Sequence, residues 1–145
     1  MSMVYTALTK KAMILAYEAH QGQKDKAGIP YIFHPIHLAE QMPDESSVFV
    51  ALLHDAVEDT HVTLEDLEQQ FPSEVTEAVR LLTRGRGQTY MEYIQCLKQN
   101  PLAVKVKLAD LAHNMDTSRL PLDEDEKSKL QRISRCRKAK AFLEK

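Results

Sequence analysis

The sequence predicts an all-α fold, built as one helical bundle. Apolar residues recur three and four positions apart along nearly the whole chain, which is the period of an amphipathic helix. The glycines fall in short polar segments between these stretches, where they are expected to break helices. Residues 104–107 alternate as a strand would, but the wider segment 101–115 has helical spacing. A chain of 145 residues can bury its own core, so we expect a single domain over residues 1–145.

The first part of the chain is expected to form helices joined by polar breaks. The expected helices cover residues 4–19, residues 31–42, and a further segment that Ser46 or Ser47 caps and that ends near Thr60. A polar loop with glycine and proline, residues 22–30, separates the first two of them. The second is expected to stop before Pro43, because proline disfavours helical geometry in the residue that precedes it.

The second part of the chain is expected to contain shorter helices and one long final helix. One helix is expected to start at residues 63–66, two more are expected to cover residues 74–82 and 90–98, and a fourth is expected to start at Pro101. The last helix follows residues 123–126 and reaches Leu143. Thr63 is a favourable first residue because its hydroxyl can accept a hydrogen bond from a free backbone N–H. The final helix has acids at its start and bases later, as the helix dipole favours.

Charge and hydropathy exclude several classes of partner. The formal net charge of −2 is small and mixed, so neither a nucleic-acid polymer nor a membrane surface is expected as a partner. No apolar run could span a bilayer, and residues 1–11 lack the apolar core of a signal peptide. Cys96 and Cys136 fit a reducing cytosol, so we expect a cytoplasmic protein. The basic segment 132–140 is expected to be a solvated helix face, with a phosphate-attracting rim as the alternative.

The segment from residue 52 to residue 59 is the most informative part of the sequence. Residues four apart share a helix face, so His54 lies above Glu58 and Asp55 lies above Asp59. Three carboxylates and one imidazole then crowd together beside a buried face, where the like charges would raise one another's pKa values. A divalent metal would relieve this repulsion, and such ligands suit manganese, iron or zinc. The segment predicts a metal-dependent hydrolase; the alternative is the solvated end of a helix.

Two further polar clusters could complete such a site. His34 stands among apolar residues before a proline, where it is either a ligand or a hydrogen-bonded core histidine. Asp110 and Asn114 share one face of an apolar helix, and a buried aspartate needs a cation or several donors. Together with His54 and Asp55, these clusters would supply two nitrogen and two oxygen ligands. Positions would remain open for water and substrate, as catalysis requires.

The motifs also resemble those of a known family. Residues 20–35 resemble the pattern H-x-G-Q-x-R-K-x-G-x-P-Y-x-x-H-P, residues 52–60 resemble L-L-H-D-x-x-E-D-T, and residues 107–117 resemble K-L-A-D-R-x-H-N-M-R-T. These patterns occur in this order in the HD-domain phosphohydrolases, in particular in the hydrolase domain of the RelA/SpoT alarmone enzymes and their small single-domain relatives. The resemblance spans roughly residues 4–117 and implies an HD-domain helical bundle.

The resemblance implies a role for each residue that matches a motif. The implied metal ligands, for which manganese is the typical ion, are His34, His54, Asp55 and Asp110. The pair Glu58 and Asp59 matches the acids that activate or position the attacking water. The implied nucleotide contacts are Lys26, Tyr31 and Asn114.

The sequence departs from the family pattern where the substrate is expected. Asp25, Leu111 and Asp116 stand where the motifs have arginines, which removes positive charge. Arg119, Lys105 or Lys107 could compensate, and Arg119 is expected either to contact substrate or to form a surface salt bridge. The leading functional expectation is a (p)ppGpp 3′-pyrophosphohydrolase. The alternatives are a phosphohydrolase for another nucleotide or phosphorylated metabolite, and a catalytically weak nucleotide-binding module.

Overall fold

The computed structural model describes residues 3–119, 121 and 123–145, and within them the protein is all-helical. Its helices are α1 (Ala7–Ala19), α2 (Phe33–Glu40), α3 (Glu45–Asp59), α4 (Leu64–Glu68), α5 (Ser73–Leu82), α6 (Tyr90–Leu97), α7 (Pro101–Met115) and α8 (Glu126–Glu144). A single 3₁₀ turn, Thr117–Arg119, follows α7. The described residues contain no strand, and Lys24 and Pro30 form only an isolated bridge. The predicted fold class is therefore confirmed.

The helix starts are defined by side chains that accept free backbone N–H groups. Thr6, Thr63 and Thr89 each begin a helix with a reciprocal capping box. The prediction that Ser46 or Ser47 caps α3 is wrong. The carboxylate of Asp44 accepts the Ser47 N–H at 2.9 Å, so α3 begins earlier than the sequence analysis expected. The Ser47 hydroxyl instead donates to the same carboxylate at 2.7 Å and is buried.

Helix α3 is the centre of the bundle and is packed against α1, α2, α5 and α7. Phe49, Leu52 and Leu53 are fully buried along it. Burying each of these side chains contributes about 1.5–3 kcal/mol of hydrophobic free energy. His54 follows directly after this apolar segment, so the core itself determines where the imidazole lies. None of the described helices combines the length and apolar character needed to cross a membrane.

The predicted loop between α1 and α2 has a defined shape. Gly22 and Gly28 adopt positive φ angles of 87° and 84°, a region that side chains disfavour. Asp25 Oδ1 accepts the backbone N–H groups of Ala27 at 2.8 Å and Ile29 at 3.0 Å. These turns hold the loop beside the start of α2, and Asp25 pairs with Arg119 in the turn that follows α7.

Candidate metal centre and adjoining cleft

Helices α2, α3 and α7 bring imidazole and carboxylate groups together in the interior. His34, His54 and Asp110 are all buried, and one ligand atom from each lies within 4.8 Å of the others. His34 Nε2 lies 2.9 Å and His54 Nε2 3.9 Å from Asp110 Oδ1. Asp55 Oδ2 is 3.2 Å from His54 Nε2 and 3.7 Å from His34 Nε2. Three of the four ligand atoms expected from the sequence thus face one small space, and the Asp55 carboxylate borders it.

The orientation of His54 fits a metal ion in this space. His54 Nδ1 lies 2.9 Å from the carbonyl oxygen of Ala51, which can only accept, so the ring proton belongs on Nδ1. His54 Nε2 is buried and has no hydrogen-bond partner among the described residues. His54 Nε2 therefore faces carboxylate oxygens that attract either a proton or a metal ion to this nitrogen. A divalent cation would satisfy all of these acceptors, and the mixed nitrogen and oxygen donors suit manganese, iron or zinc.

The charges of the cluster depend strongly on one another. Burial alone would lower the pKa of His54, but the charges of Asp55 and Asp110 outweigh burial and raise it well above its usual range. Burial would raise the pKa of Asp55, but the His54 imidazolium lowers it to about 2. The pKa of Asp110 is well below its usual range, because Lys107 and both histidines outweigh its burial. The buried carboxylates are therefore ionised and require positive charge nearby.

Lys107 supplies part of that positive charge. Its buried ammonium donates to Asp110 Oδ2 at 2.9 Å and lies 5.2 Å from the centre of the Tyr93 ring. Burial would lower the pKa of Lys107, but Asp110 raises it above its usual value. Both lysines that were considered as replacements for a missing phosphate contact have carboxylate partners in the structure. Lys107 is committed to Asp110, and Lys105 pairs with Asp44 on the surface at 3.5 Å.

Tyr31 and the acids at the end of α3 border the cluster. The Tyr31 hydroxyl donates to Asp55 Oδ2 at 2.6 Å. Glu58 and Asp59 lie one helical turn beyond His54 and Asp55, and both are exposed. Partial desolvation of the carboxyl groups and the charges of neighbouring carboxylates raise the pKa of Glu58 and the pKa of Asp59. These exposed carboxylates therefore bind a proton more readily than ordinary acids do.

A cleft of about 270 Å³ lies between the first loop, the end of α7 and α8. It is lined by Lys24, Asp25, Lys26, Tyr31, Asn114, Arg119 and Arg132. The substrate residues expected from the sequence therefore lie in one cleft. Its cationic side chains come from three separate segments of the chain, and Tyr31 connects its wall to Asp55 of the metal cluster.

Arg119 is fixed at the edge of this cleft. Its Nε donates to the His113 carbonyl at 2.9 Å, and one Nη donates to Asn114 Oδ1 at 3.1 Å. The other Nη lies 3.7 Å from Asp25 Oδ2. Arg119 thus both forms an ion pair and lines the cleft, so the two alternatives considered for it do not exclude each other. Asp25 is paired with Arg119, which offsets its negative charge.

Arg132 lines the cleft, although the sequence did not single it out within segment 132–140, for which a solvated helix face was the first expectation and a phosphate-attracting rim the alternative. Arg132 Nε donates to the Asn114 carbonyl at 3.3 Å, and Nη1 pairs with Glu124. The remaining Nη2 is buried and has no partner among the described residues. Seven of the 19 residues of α8 are lysine or arginine, so no sequence pattern singles out the one that turns inward.

His113 lies within the motif of residues 107–117, and the sequence alone gave it no separate role. Its Nδ1 lies 2.6 Å from His34 Nδ1, on the side of His34 opposite the metal cluster. The His37 ring lies against His113, with centroids 4.3 Å apart. Burial, followed by the charges of Arg119, His34 and His37, lowers the pKa of His113 to about 4. His113 is therefore neutral at physiological pH.

Comparisons with known proteins identify similar chains. The family model described as HD domain matches residues 12–135. The bifunctional (p)ppGpp synthase/hydrolase SpoT of Escherichia coli K12 is 34% identical over 123 residues, covering 74% of this chain and 18% of that protein. The GTP pyrophosphokinase of Myxococcus xanthus is 34% identical over 145 residues, covering 88% of this chain and 19% of that protein. The chain thus spans less than a fifth of the length of these curated relatives.

A solved structure is similar over nearly the whole chain. It is described as "A metazoan ortholog of SpoT hydrolyzes ppGpp and plays a role in starvation responses". The match has a TM-score of 0.81 and 25% sequence identity, and it covers 98% of this chain and 88% of the other. The helical architecture and the helices that carry the cluster therefore occur in a protein of nearly the same extent.

Proposed function

This chain belongs to the HD domain family, and from that premise we propose that it is a metal-dependent phosphohydrolase. Its leading candidate reaction is removal of the 3′-pyrophosphate from (p)ppGpp. The relatives named for (p)ppGpp metabolism and the metazoan ppGpp hydrolase support this candidate. The alternatives are another nucleotide or phosphorylated metabolite as substrate, and a nucleotide-binding module with weak catalysis.

The observation that carries the proposal is the convergence of buried ligand atoms around the unpartnered His54 Nε2. We propose that His34, His54, Asp55 and Asp110 hold one divalent ion, with Mn²⁺ as the leading candidate. Such an ion supplies Lewis-acid polarisation of a phosphoryl oxygen and of water. Tyr31 keeps Asp55 Oδ2 directed at the site through its hydrogen bond, and Lys107 does the same for Asp110.

Glu58 and Asp59 are proposed to accept the proton that the attacking water loses. The water oxygen bonds to phosphorus, the bond from phosphorus to the leaving oxygen breaks, and one carboxylate holds the released proton. Their raised pKa values suit this function, because a base works best when its pKa approaches the working pH. Their exposure at the end of α3 lets substrate reach them while the ligands stay buried.

The adjoining cleft is proposed to hold the substrate. Arg119 and Arg132 would bind phosphate oxygens through their guanidinium donors, and the Lys26 ammonium would add a point charge. Asn114 offers an amide to a sugar or base, and Tyr31 lines the side nearest the metal cluster. A nucleotide with two phosphorylated positions would place one in the cleft and the other at the reacting centre.

Free Cys96 and Cys136 accord with the proposed cytoplasmic location.

The test is a hydrolysis panel on purified protein that has been stripped with a chelator. Mn²⁺, Zn²⁺ or Mg²⁺ is added back, and ppGpp, GTP, ATP and a sugar phosphate are supplied separately. We expect metal-dependent release of pyrophosphate from ppGpp, identified by ion-exchange chromatography. Faster release of orthophosphate or pyrophosphate from another compound would favour the second alternative. Calorimetric binding of ppGpp without turnover, under any of these metals, would favour the binding module.

A further inference from the structure

The His34 and His113 imidazoles meet edge to edge through their Nδ1 atoms. These two nitrogens are 2.6 Å apart, while the ring centroids are 4.9 Å apart and the ring planes differ by only 9°. The distance between the ring centroids exceeds the distance between the two nitrogens by about two ring radii, so both nitrogens lie close to the line that joins the centroids. With nearly parallel planes, the rings are therefore nearly coplanar and share a hydrogen bond between their Nδ1 atoms. One Nδ1 must carry the proton and the other must accept it, because two protonated nitrogens would repel.

This pairing differs from that of the other candidate metal-binding histidine. His54 Nδ1 faces the Ala51 carbonyl, which can only accept, so its proton position is fixed. His113 can donate or accept through the same nitrogen. The proton position on His34 therefore depends on the proton position on His113.

The other nitrogen of His34 requires opposite tautomers with and without metal. His34 Nε2 lies 2.9 Å from Asp110 Oδ1, an oxygen of a carboxylate paired with Lys107. When no metal is bound, this oxygen accepts a hydrogen bond from Nε2, so Nε2 carries the His34 proton and His34 Nδ1 accepts from His113. To bind a metal, His34 must free its Nε2 lone pair, which moves its proton to Nδ1. His113 Nδ1 must then be the acceptor, with the His113 proton on Nε2.

We propose that His113 is a positioning residue that sets the tautomer of His34, and that both imidazoles exchange tautomers when the metal binds. This inference rests on the proposed metal site. The exchange conserves protons. His34 loses its Nε2 proton to solvent and gains the Nδ1 proton of His113, and His113 regains a proton on Nε2 from solvent. The pair therefore accepts a metal ion without changing its own number of protons.

Matched variants at residue 113 test the accepting atom. In His113→Asn the amide oxygen can occupy the Nδ1 position, whereas in His113→Gln it reaches toward the Nε2 position, and His113→Leu has no acceptor. Mn²⁺ is titrated by calorimetry into chelator-stripped protein. We expect His113→Leu and His113→Gln to weaken binding by about 10–100-fold, the usual effect of removing a partner of a ligating histidine. We expect His113→Asn to restore most of the affinity.

His37→Leu is the control, because His37 lies against His113 without bonding to the cluster. It should leave the Mn²⁺ dissociation constant unchanged. Unchanged affinity in His113→Leu would overturn the proposal while leaving the metal site standing. Absence of any metal binding by the wild-type protein would overturn the site and the proposal together.

A second measurement uses the wild-type protein alone, so that misfolding of a variant cannot obscure the result. Long-range ¹⁵N–¹H correlation spectra report which nitrogen of each histidine is protonated. They are recorded on stripped protein and after addition of diamagnetic Zn²⁺. We expect the His34 proton to move from Nε2 to Nδ1 and the His113 proton to move from Nδ1 to Nε2. A His113 proton that stays on the same nitrogen would overturn the proposal.

Discussion

Lys107 and Asp110 form a buried ion pair one turn apart on α7, with Nζ 2.9 Å from Oδ2. The same carboxylate presents its other oxygen, Oδ1, to His34 and His54. Asp110 therefore divides its oxygens between a permanent cation of the protein and the candidate metal position. This division explains how an aspartate can stay ionised inside an apolar helix.

Replacing Lys107 with methionine should be strongly destabilising. Lys107→Met keeps an unbranched side chain in the same space but leaves the Asp110 charge without its ammonium. Removal of one partner from a buried pair costs about 3–5 kcal/mol of unfolding free energy. The measurement is urea unfolding of metal-free protein. The matched control is Lys105→Met, which breaks an exposed pair with Asp44 and should cost about 0–1 kcal/mol. Equal costs in the two variants would contradict the structural importance of the buried pair.

Single substitutions of the α3 ligands should abolish metal binding. His54→Ala removes the unpartnered Nε2, and Asp55→Ala removes the oxygen that Tyr31 orients. For the wild-type protein, metal at 100 times its dissociation constant should add about 2.7 kcal/mol to the unfolding free energy. Neither variant should gain this stabilisation. Elemental analysis after dialysis provides an independent measurement, and full metal occupancy in either variant would refute the ligand assignment.

The exposed acids at the end of α3 should affect turnover rather than metal binding. Glu58→Gln and Asp59→Asn keep size and polarity but cannot accept a proton from water. We expect kcat to fall by about 10²–10⁴-fold while metal content stays constant. Glu68→Gln, an exposed acid on α4, is the control and should leave kcat unchanged. Full activity in both α3 variants would mean that these carboxylates are only a solvated helix end.

Neutralising Asp25 should strengthen binding of a polyphosphate substrate. Asp25→Asn retains an oxygen for the Ala27 and Ile29 N–H groups but removes the charge that pairs with Arg119. The released guanidinium is then available to phosphate, so KM for ppGpp should fall while kcat changes little. Asp25→Arg removes the oxygen that accepts the Ala27 and Ile29 N–H groups, so it should lower KM further only if the loop keeps its shape without these two hydrogen bonds.

The control for Asp25 is Asp116→Asn, whose carboxylate bonds to the nearby Ser118 and does not line the cleft. It should leave KM unchanged at moderate ionic strength. An unchanged KM in both Asp25 variants would mean that the loop does not contact the substrate phosphates.

The cap of α3 should contribute stability that depends on pH. Hydrogen bonds from the Ser47 hydroxyl and backbone N–H lower the pKa of Asp44. A lowered folded-state pKa contributes stability above the unfolded pKa of about 4, and this stability is lost as the pH falls through the folded value. Asp44→Ala should therefore cost about 1 kcal/mol at pH 7. The difference from wild type should shrink in urea unfolding at pH 3. Asparagine in Asp44→Asn can also cap the helix, but its amide does not titrate. The contribution of residue 44 to the unfolding free energy should therefore not depend on pH in this variant.

Local patterns were sufficient to predict most helices but not every helix start. Asp44, Ser46 and Ser47 lie within four positions and are all favourable capping residues, so the local sequence does not show which of them caps the helix. The structure selects Asp44 because Ser47 is buried against the core and its hydroxyl bonds back to the carboxylate. The existence of the helix was predictable from periodicity, whereas its first residue depended on packing.

The candidate ligands were identified from motifs, but the groups that support them were not. The His34–His113 and Arg119–Asp25 pairs join residues far apart in sequence, so no spacing rule indicates them. Arg132 is one base among many on α8, and only tertiary packing directs it into the cleft. Sequence could therefore predict the type of chemistry, while the orientation and charge balance of the site depended on the assembled bundle.

The candidate ligands come from α2, α3 and α7, which are separated widely along the chain. An ion held by all of them would join an early, a central and a late segment as a covalent crosslink does. Unlike a covalent crosslink, the ion would restrict the unfolded chain very little, because the ligands assemble only when α7 has docked on α3. Metal binding and folding would thus be linked equilibria for this protein, and scarcity of the ion would lower the fraction of folded chain as well as its activity.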